Sequence, residues 1–159
     1  MSDFKVNDKV IHCREGLAVI DSVKTMGDRD YFVVHSIGGD SEAIYVPIAT
    51  ANSIIRRLMT PEEADELLKS LTLVNLEFNS NTKQRRDAYK KRLSTGDVKD
   101  IAYLYRQEQL CKDNYKLVRL GPADLDMLGY AKKCLLDELA LIYEVDRDKI
   151  EEFALKKIK

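Results

Sequence analysis

The sequence changes character near residue 60, and this change constrains the fold more than any other feature. From Phe4 to about Ile55, short runs of β-branched and aromatic residues alternate with turn residues, a pattern typical of strands. From Thr60 onward, apolar residues recur at three- and four-residue steps, the period of amphipathic helices. Thr60-Pro61-Glu62-Glu63 marks the change, because it combines a capping threonine, a first-turn proline and a glutamate that completes a capping box. We therefore predict two domains, residues 1–55 and 60–159.

The N-terminal part predicts four or five short strands in about fifty residues. The strand-like segments are residues 9–12, 17–23, 30–37 and 42–47, and the turn signals are residues 14–16, 26–29 and 38–40. So many short strands with tight turns indicate a small, strongly bent β-barrel of the SH3 or Tudor kind. Pro47 has no N–H to donate, so the strand before it must end there or lie at an edge of the sheet. Such an edge is able to accept a strand from another protein.

The C-terminal part predicts a compact all-α domain of about five helices, which makes the whole chain an α+β protein. The helix that starts at Thr60 is followed by a looser segment up to Asn81. A basic helix then runs from about Thr82 to Ser94, and Asp97 caps the next helix. The longest helix is the most apolar, and we expect Asp146 to cap the last one.

The basic helix carries six lysines and arginines and a single acid, Asp87, in a chain whose formal net charge is −1. A solvated helix usually alternates charges at four-residue steps, because opposite charges at that spacing stabilise it and like charges do not. The excess of positive charge therefore favours contact with a nucleic-acid backbone, and a solvated surface helix is the alternative. No residue set resembles a base-reading helix-turn-helix, so we expect binding that is largely independent of sequence.

The composition disfavours an enzyme or a metal protein. The three cysteines are widely spaced without any zinc-binding pattern, and there are only two histidines, His12 and His35. Adjacent residues of a strand point to opposite faces, so His12 and Cys13 are not placed to act as a catalytic pair. We expect no cofactor, no metal, no small-molecule substrate and no membrane span, and we expect a cytoplasmic protein.

The two halves, in this order, resemble the CarD/CdnL family of bacterial transcription regulators, which bind RNA polymerase. The N-terminal match includes Asp8, Val10 and Gly16 and the Val46-Pro47 pair that ends a strand. The helical match includes a basic helix that runs into a Ser-Gly-Asp-like turn, and a late helix with the family's Met-Leu and Glu-Leu-Ala motifs. Its residues are Arg85, Arg86, Thr95-Gly96-Asp97, Met127-Leu128, Ala131, Leu135 and Glu138-Leu139-Ala140.

The resemblance implies a partner for each domain. In the family, the Tudor-like domain binds the β subunit of RNA polymerase through its strand edge, and the helical domain contacts promoter DNA upstream of the melted region. The polymerase-binding residues implied here are Met26, Ile44, Tyr45, Val46 and Pro47. The DNA-binding residues inferred from the basic helix and this resemblance are Thr82, Lys83, Arg85, Arg86, Tyr89 and Lys90.

The chain departs from many family members at three of these positions. Characterised members often have arginines where this chain has Met26 and Tyr45. Many members also carry a tryptophan that wedges against the minor groove; this chain has no tryptophan, and Thr82 occupies the aligned position. The loss removes the apolar contribution of such a wedge and leaves the positive helix.

Two functional hypotheses follow. The first is a transcription regulator that docks on the polymerase β subunit and contacts the backbone of upstream promoter DNA, which modulates the stability of the open complex. The second is an adaptor that binds polymerase or another partner through the barrel and makes no contact with DNA.

Overall fold

The chain forms two compact units, Met1–Leu58 and Met59–Lys159. The structure is a computed structural model that describes residues 3–37 and 42–158. The turn predicted at residues 38–40 lies outside the described residues. The predicted first domain ended at residue 55, whereas the first compact unit continues to Leu58, because residues 55–57 form one more strand.

The first unit is an antiparallel sheet of five strands in the order β4-β3-β2-β1-β5. The strands are β1 (Lys9–His12), β2 (Gly16–Met26), β3 (Arg29–Ser36), β4 (Ile44–Pro47) and β5 (Ile55–Arg57). A bulge between Ile20 and Ser22 interrupts the pairing of β2 with β3, and bulges bend a strand and increase its twist. A 3₁₀ segment, Ile48–Ser53, connects the two edge strands. The predicted small, bent β fold is confirmed.

One face of this sheet forms a small hydrophobic core. Alternation along the strands directs Val10, Ala18, Ile20, Phe32, Val34 and Val46 inward, together with Phe4, Ala51 and Ile55. Phe4 meets Phe32 edge to face, with ring centroids 6.5 Å apart. Burial of this face fixes the register of β3 and β4, since a slip of one residue would turn Phe32 and Val46 to solvent.

The second unit contains five α-helices among its described residues, as predicted. They are α1 (Pro61–Ser70), α2 (Thr82–Thr95), α3 (Val98–Asp113), α4 (Pro122–Tyr143) and α5 (Ile150–Ile158). The capping box at the start of α1 is confirmed: the Glu63 N–H donates to the Thr60 hydroxyl at 3.2 Å, and the Thr60 N–H donates to the Glu63 carboxylate at 3.1 Å. The apolar faces of all five helices meet in one core.

Two helix boundaries determine how the basic helix is placed. Gly96 ends α2 in the left-handed conformation, with φ of 68°, and the Asp97 side chain accepts from the Lys99 N–H at 2.8 Å to start α3. The predicted cap of the last helix was wrong. Asp146 instead begins a turn in which its carbonyl accepts from the Lys149 N–H, and α5 starts at Ile150.

Candidate docking strand and cationic helix

Strand β4 lies at an edge of the sheet and presents one exposed aromatic side chain. Tyr45 pairs with Val33 on β3 and is 45% exposed, whereas Val46 is 1% exposed and belongs to the core. The other side of β4 has no neighbouring strand among the described residues, so part of its backbone is unpaired within the sheet. Tyr45 is therefore the most exposed side chain of β4, half-buried Ile44 and Pro47 lie on either side, and Val46 contributes only backbone.

The surroundings of Tyr45 are partly apolar and partly basic. The Lys24 ammonium lies 5.7 Å from the centroid of its ring, a cation–π arrangement. Pro47 on β4 pairs with Tyr31 on β3. Two residues before Tyr31 on the same strand, Arg29 pairs with Met26 on β2. The pairing thus places half-buried Met26 at the end of the sheet where β4 finishes. The five implied polymerase-binding residues lie in one region of the sheet, with Val46 facing inward.

Helix α2 carries the basic segment and begins at a well-formed cap. The Asn81 side chain accepts from the Gln84 N–H at 3.0 Å. At 100° per residue, Lys83, Arg86 and Lys90 lie within about 60° of one another around the helix axis. We call these three residues the cationic stripe. Among the residues that the structure describes, Lys83 and Lys90 make no ion pair, and both are exposed.

Arg85 points away from this stripe and into the core. Its side chain is 6% exposed, and its guanidinium donates to Asp124 at 3.1 Å through Nε and at 2.7 Å through Nη2. Nη1 donates to the Asn79 carbonyl at 2.9 Å, and the guanidinium carbon lies 4.8 Å from the Phe78 ring centroid. Three hydrogen bonds thus hold the guanidinium inside the domain. This corrects the expectation of a phosphate contact at Arg85.

Asp124 is the partner that makes this burial possible. The residue is 0% exposed, and it also accepts from the Gly121 N–H at 2.8 Å at the start of α4. Burial by itself raises the pKa of the Asp124 carboxyl, but the hydrogen bonds from Arg85 and Gly121 and the nearby charges of Arg85 and Arg86 outweigh it. The pKa therefore lies below its usual value, and the pair is ionised at neutral pH.

Tyr89 is also interior and is not part of the exposed surface of α2. It follows Arg85 by one helical turn and is 6% exposed. Its hydroxyl is buried and has no hydrogen-bond partner among the described residues. Burial raises its pKa to about 12. The expectation that Tyr89 touches nucleic acid is therefore corrected in the same way as that for Arg85.

Arg86 occupies an intermediate position. Its Nε lies 3.8 Å from an Asp124 carboxylate oxygen, too far for a hydrogen bond. Its Nη2 would lie 3.0 Å from a Cβ built on Gly121, so the absence of a side chain at Gly121 leaves room for the guanidinium. About a third of the Arg86 side chain is exposed. The Arg86 side chain therefore lies against the start of α4 and is partly exposed to solvent.

Near the C-terminal end of α2, Arg92 is paired within the domain, whereas its neighbour Lys91 is exposed. Arg92 donates to Asp100 at 2.8 Å, and its guanidinium carbon lies 3.7 Å from the Tyr103 ring centroid. Tyr103 donates in turn to Glu77 at 2.5 Å. Sequence reasoning missed Asp100 and Asp124 because it looked for acidic partners only within the helix. Both aspartates lie in the first turn of a later helix, and that position in the sequence could have indicated them as partners of the arginines on α2.

The two histidines have structural surroundings. His12 is buried, and its Nδ1 accepts from the N–H groups of Arg14 and Glu15 at 3.1 and 3.2 Å. His35 pairs with Asp21. In the described ranges, no group of three or more histidines, cysteines or carboxylates is placed to hold a metal ion. No described helix combines the length and the low polarity needed to cross a bilayer.

The fold and these surfaces define a two-domain protein, in which a small β-sheet domain with an open edge strand precedes a helical domain with a cationic stripe. A family model of the CarD C-terminal domain matches residues 66–154, which is more than half of the chain. A model of the CarD-like/TRCF RID domain matches residues 4–59. The chain belongs to the CarD family of non-enzymatic, RNA-polymerase-interacting transcription regulators. The resemblance seen in the sequence is confirmed.

Proposed function

We propose that this protein docks on the β subunit of RNA polymerase through β4 and contacts upstream promoter DNA through the cationic stripe, which modulates the stability of the open complex. The observation that carries the DNA part is the separation of charges on α2. Arg85 is buried in an ion pair with Asp124 and Arg92 is paired with Asp100 at a partly exposed position, whereas Lys83 and Lys90 remain exposed on one side of the helix. Membership of the CarD family supports polymerase as the partner of the first domain.

Docking through β4 would use the backbone as well as Tyr45. An added strand gains affinity from main-chain hydrogen bonds to an exposed edge, and side chains that flank the edge provide specificity. Tyr45 offers a large, half-exposed ring beside Lys24. Tyrosine is enriched in the energetically important centres of interfaces because it combines apolar area with a polar hydroxyl. The polymerase contact proposed here is therefore more aromatic than charged.

The geometry of the cationic stripe suits a phosphate backbone. Lys83 and Lys90 are seven residues apart, or about 10 Å along the helix axis. Two lysines at that separation can reach different phosphates of one DNA strand. Thr82, exposed in the first turn of α2, lies beside Lys83 and provides a further hydroxyl. These contacts would bind DNA without reading its bases.

Regulation would follow from contacts that exist in only one state of the promoter. A protein shifts the equilibrium between closed and open complexes only by the difference in its binding free energy for the two. Coupling between sites is typically about 1–3 kcal/mol. A few phosphate contacts that form only in the open complex are sufficient for an effect of that size.

The docking part is tested by pull-down of the intact chain with the isolated lobe of the polymerase β subunit. Tyr45→Glu should abolish or strongly weaken binding. Val23→Glu is the matched control, because Val23 is 49% exposed and pairs with Phe32, which places it on the opposite face of the sheet. Val46→Glu is unsuitable, because it would place a charge in the core. Equal binding by the wild-type chain and Tyr45→Glu would contradict docking at β4.

The DNA part is tested by measuring affinity for duplex DNA as a function of salt. Each phosphate contact contributes about 0.9 to the slope of log K against log salt, so Lys83→Gln with Lys90→Gln should reduce the slope by up to about 2. Lys69→Gln with Lys156→Gln removes the same charge from exposed positions on α1 and α5 and should leave the slope unchanged. Equal slopes for the two double variants would exclude the stripe as the contact.

The adaptor hypothesis is the second candidate, and one observation favours it. Internal aspartates neutralise Arg85 and Arg92 and approach Arg86, so α2 presents fewer free charges than its sequence suggests. Polymerase binding without measurable, salt-dependent DNA binding would make the adaptor the better description.

A further inference from the structure

The connection between α3 and α4 exposes two large apolar side chains that the family assignment does not explain. We call residues Asn114–Leu120 the α3–α4 turn. Within it, Tyr115 is 69% exposed and Leu117 is 81% exposed. Leu125, in the first turn of the helix that follows, is also exposed. Single exposed apolar residues are common, but a cluster on one short segment marks a candidate interaction site.

The α3–α4 turn is ordered by its own hydrogen bonds. The Asn114 carbonyl accepts from the Leu117 N–H at 2.8 Å and from the Val118 N–H at 3.2 Å. The Asn114 side chain donates to the Leu110 carbonyl at 2.8 Å, and the Val118 side chain is buried. The turn is therefore fixed to the domain at both ends of this segment. The exposure of Tyr115 and Leu117 between these anchors is a consequence of the local fold.

The α3–α4 turn lies at the same end of the helical domain as the start of the cationic stripe. Helices α2 and α3 are joined by only Gly96 and Asp97, and Arg92 near the end of α2 pairs with Asp100 near the start of α3. Asp124, in the first turn of α4, pairs with Arg85 near the start of α2, which brings the end of the α3–α4 turn beside the start of α2. Gly121, which follows the turn directly, lies against the Arg86 guanidinium.

The charge of the turn matches that of the stripe. Residues 114–120 contain Lys116 and Arg119 and no acidic residue. The Lys116 ammonium lies 6.0 Å from the Tyr115 ring centroid, at the outer limit of a cation–π contact. The exposed acids Asp113 and Asp126 flank the turn on either side in the sequence. Apolar side chains are thus displayed between cations, next to a helix that carries further unpaired cations.

We propose that the α3–α4 turn is a second DNA-contacting element, in which Leu117 packs against base edges or an opened base step while Lys116 and Arg119 contact phosphates. The inference rests on the proposed DNA contact of the cationic stripe and extends it. Aliphatic side chains serve as wedges between base steps in several classes of DNA-bending proteins. Lys116 and Arg119 lie on either side of Leu117 in the sequence. Their positive charges favour an anionic partner over an apolar groove on another protein.

A single-tryptophan probe tests this placement directly. The chain contains no tryptophan, so Leu117→Trp introduces the only indole. Its fluorescence should change when duplex DNA, or duplex with a short mismatched bubble, is added to the full chain. Leu73→Trp is the matched control, because Leu73 is 82% exposed on the 3₁₀ segment after α1. A change at position 73 but not at position 117 would overturn the inference.

Affinity measurements separate this inference from the proposed function. Leu117→Ser should weaken DNA binding about tenfold without altering the salt slope, because the lost contact is apolar. Lys116→Gln with Arg119→Gln should reduce the slope by up to about 2. If these variants bind as the wild-type chain does while Lys83→Gln with Lys90→Gln weakens binding, the turn is not a contact and the proposed function stands. If the intact chain binds no DNA, both the DNA part of the proposed function and this inference fail.

Binding of a protein is the competing outcome. If Leu117→Ser weakened capture of polymerase but left DNA affinity unchanged, the turn would be a protein-contacting element and the inference would be overturned. Far-UV circular dichroism should be identical for all these variants, since every substituted side chain in the turn is exposed.

Discussion

Replacement of Arg85 by methionine should destabilise the helical domain far more than the same replacement at Arg86. Arg85 is almost fully buried and donates two hydrogen bonds to Asp124, which is itself completely buried. Arg86 approaches the same carboxylate only to 3.8 Å and is partly exposed. The substitutions are chemically identical and one residue apart, so the comparison isolates the effect of the buried pair.

The expected loss of stability in Arg85→Met follows from the Asp124 charge that remains buried without its main partner. Without Arg85, the Asp124 carboxylate keeps only the Gly121 N–H at 2.8 Å and the more distant Arg86. Removal of one partner of a buried ion pair typically costs about 3–5 kcal/mol. For a domain of roughly 100 residues this corresponds to a decrease in Tm of roughly 15–30 °C. Arg86→Met should cost less than about 1 kcal/mol, the usual value for a partly exposed pair.

A double-mutant cycle that combines Arg85→Met with Asp124→Leu separates the interaction between the two charges from the effect of each substitution alone. Because both charges are then removed together, the double variant should recover most of the loss and stay about 1–2 kcal/mol below wild type, mainly from the lost cap at Gly121. The coupling free energy should therefore exceed about 2 kcal/mol. Thermal and urea unfolding followed at 222 nm measure all four proteins.

The pH dependence provides an independent check. In the wild-type chain the folded-state pKa of Asp124 is depressed, so its stabilising contribution is present above the unfolded pKa and is lost as the pH falls through the folded value. In Arg85→Met, burial instead raises the pKa of Asp124, so acidification neutralises the stranded charge. The difference between the two proteins should shrink from pH 7 to pH 4. A cost below about 1 kcal/mol for Arg85→Met, or a difference that grows on acidification, would refute this reasoning.

Three further predictions concern local features. Burial holds the pKa of His12 below its usual value of 6.5. The contribution of His12 to stability should therefore be complete above pH 6.5 and decrease as the pH falls through the folded-state pKa. His12→Gln should remove this pH dependence of the free energy of unfolding, measured with denaturant. Gly129→Ala should stabilise the chain by about 1 kcal/mol because α4 has room for a methyl there, whereas Gly96→Ala should destabilise it by about 1–2 kcal/mol because φ is positive; equal Tm shifts would contradict both. Thr60→Ala should cost about 1 kcal/mol through loss of the capping box, and an unchanged midpoint of urea unfolding would show that the cap contributes nothing.

The sequence alone was sufficient for the order and type of most elements. The strand pattern, the capping box at Thr60 and the Gly96-Asp97 junction all depend on local steric and hydrogen-bonding preferences, which neighbouring residues determine. Pro47 predicted that its strand ends there or lies at an edge of the sheet, and both hold for β4. The cap of α5 failed because Asp146 is followed by a turn, and a capping residue is equally compatible with either structure. The family could also be recognised, because its motifs are spread over both domains.

Only the tertiary structure decided which charges of α2 are available to a partner. The sequence shows six basic residues in one segment, and nothing local distinguishes Arg85 from Lys83. The fold brings Asp124 and Asp100 against α2 from other helices, so that two arginines are neutralised internally and lysines remain on the surface. Burial of a charge depends on partners that are distant in sequence, here 39 residues away for Arg85, and for that reason the segment alone could not reveal it.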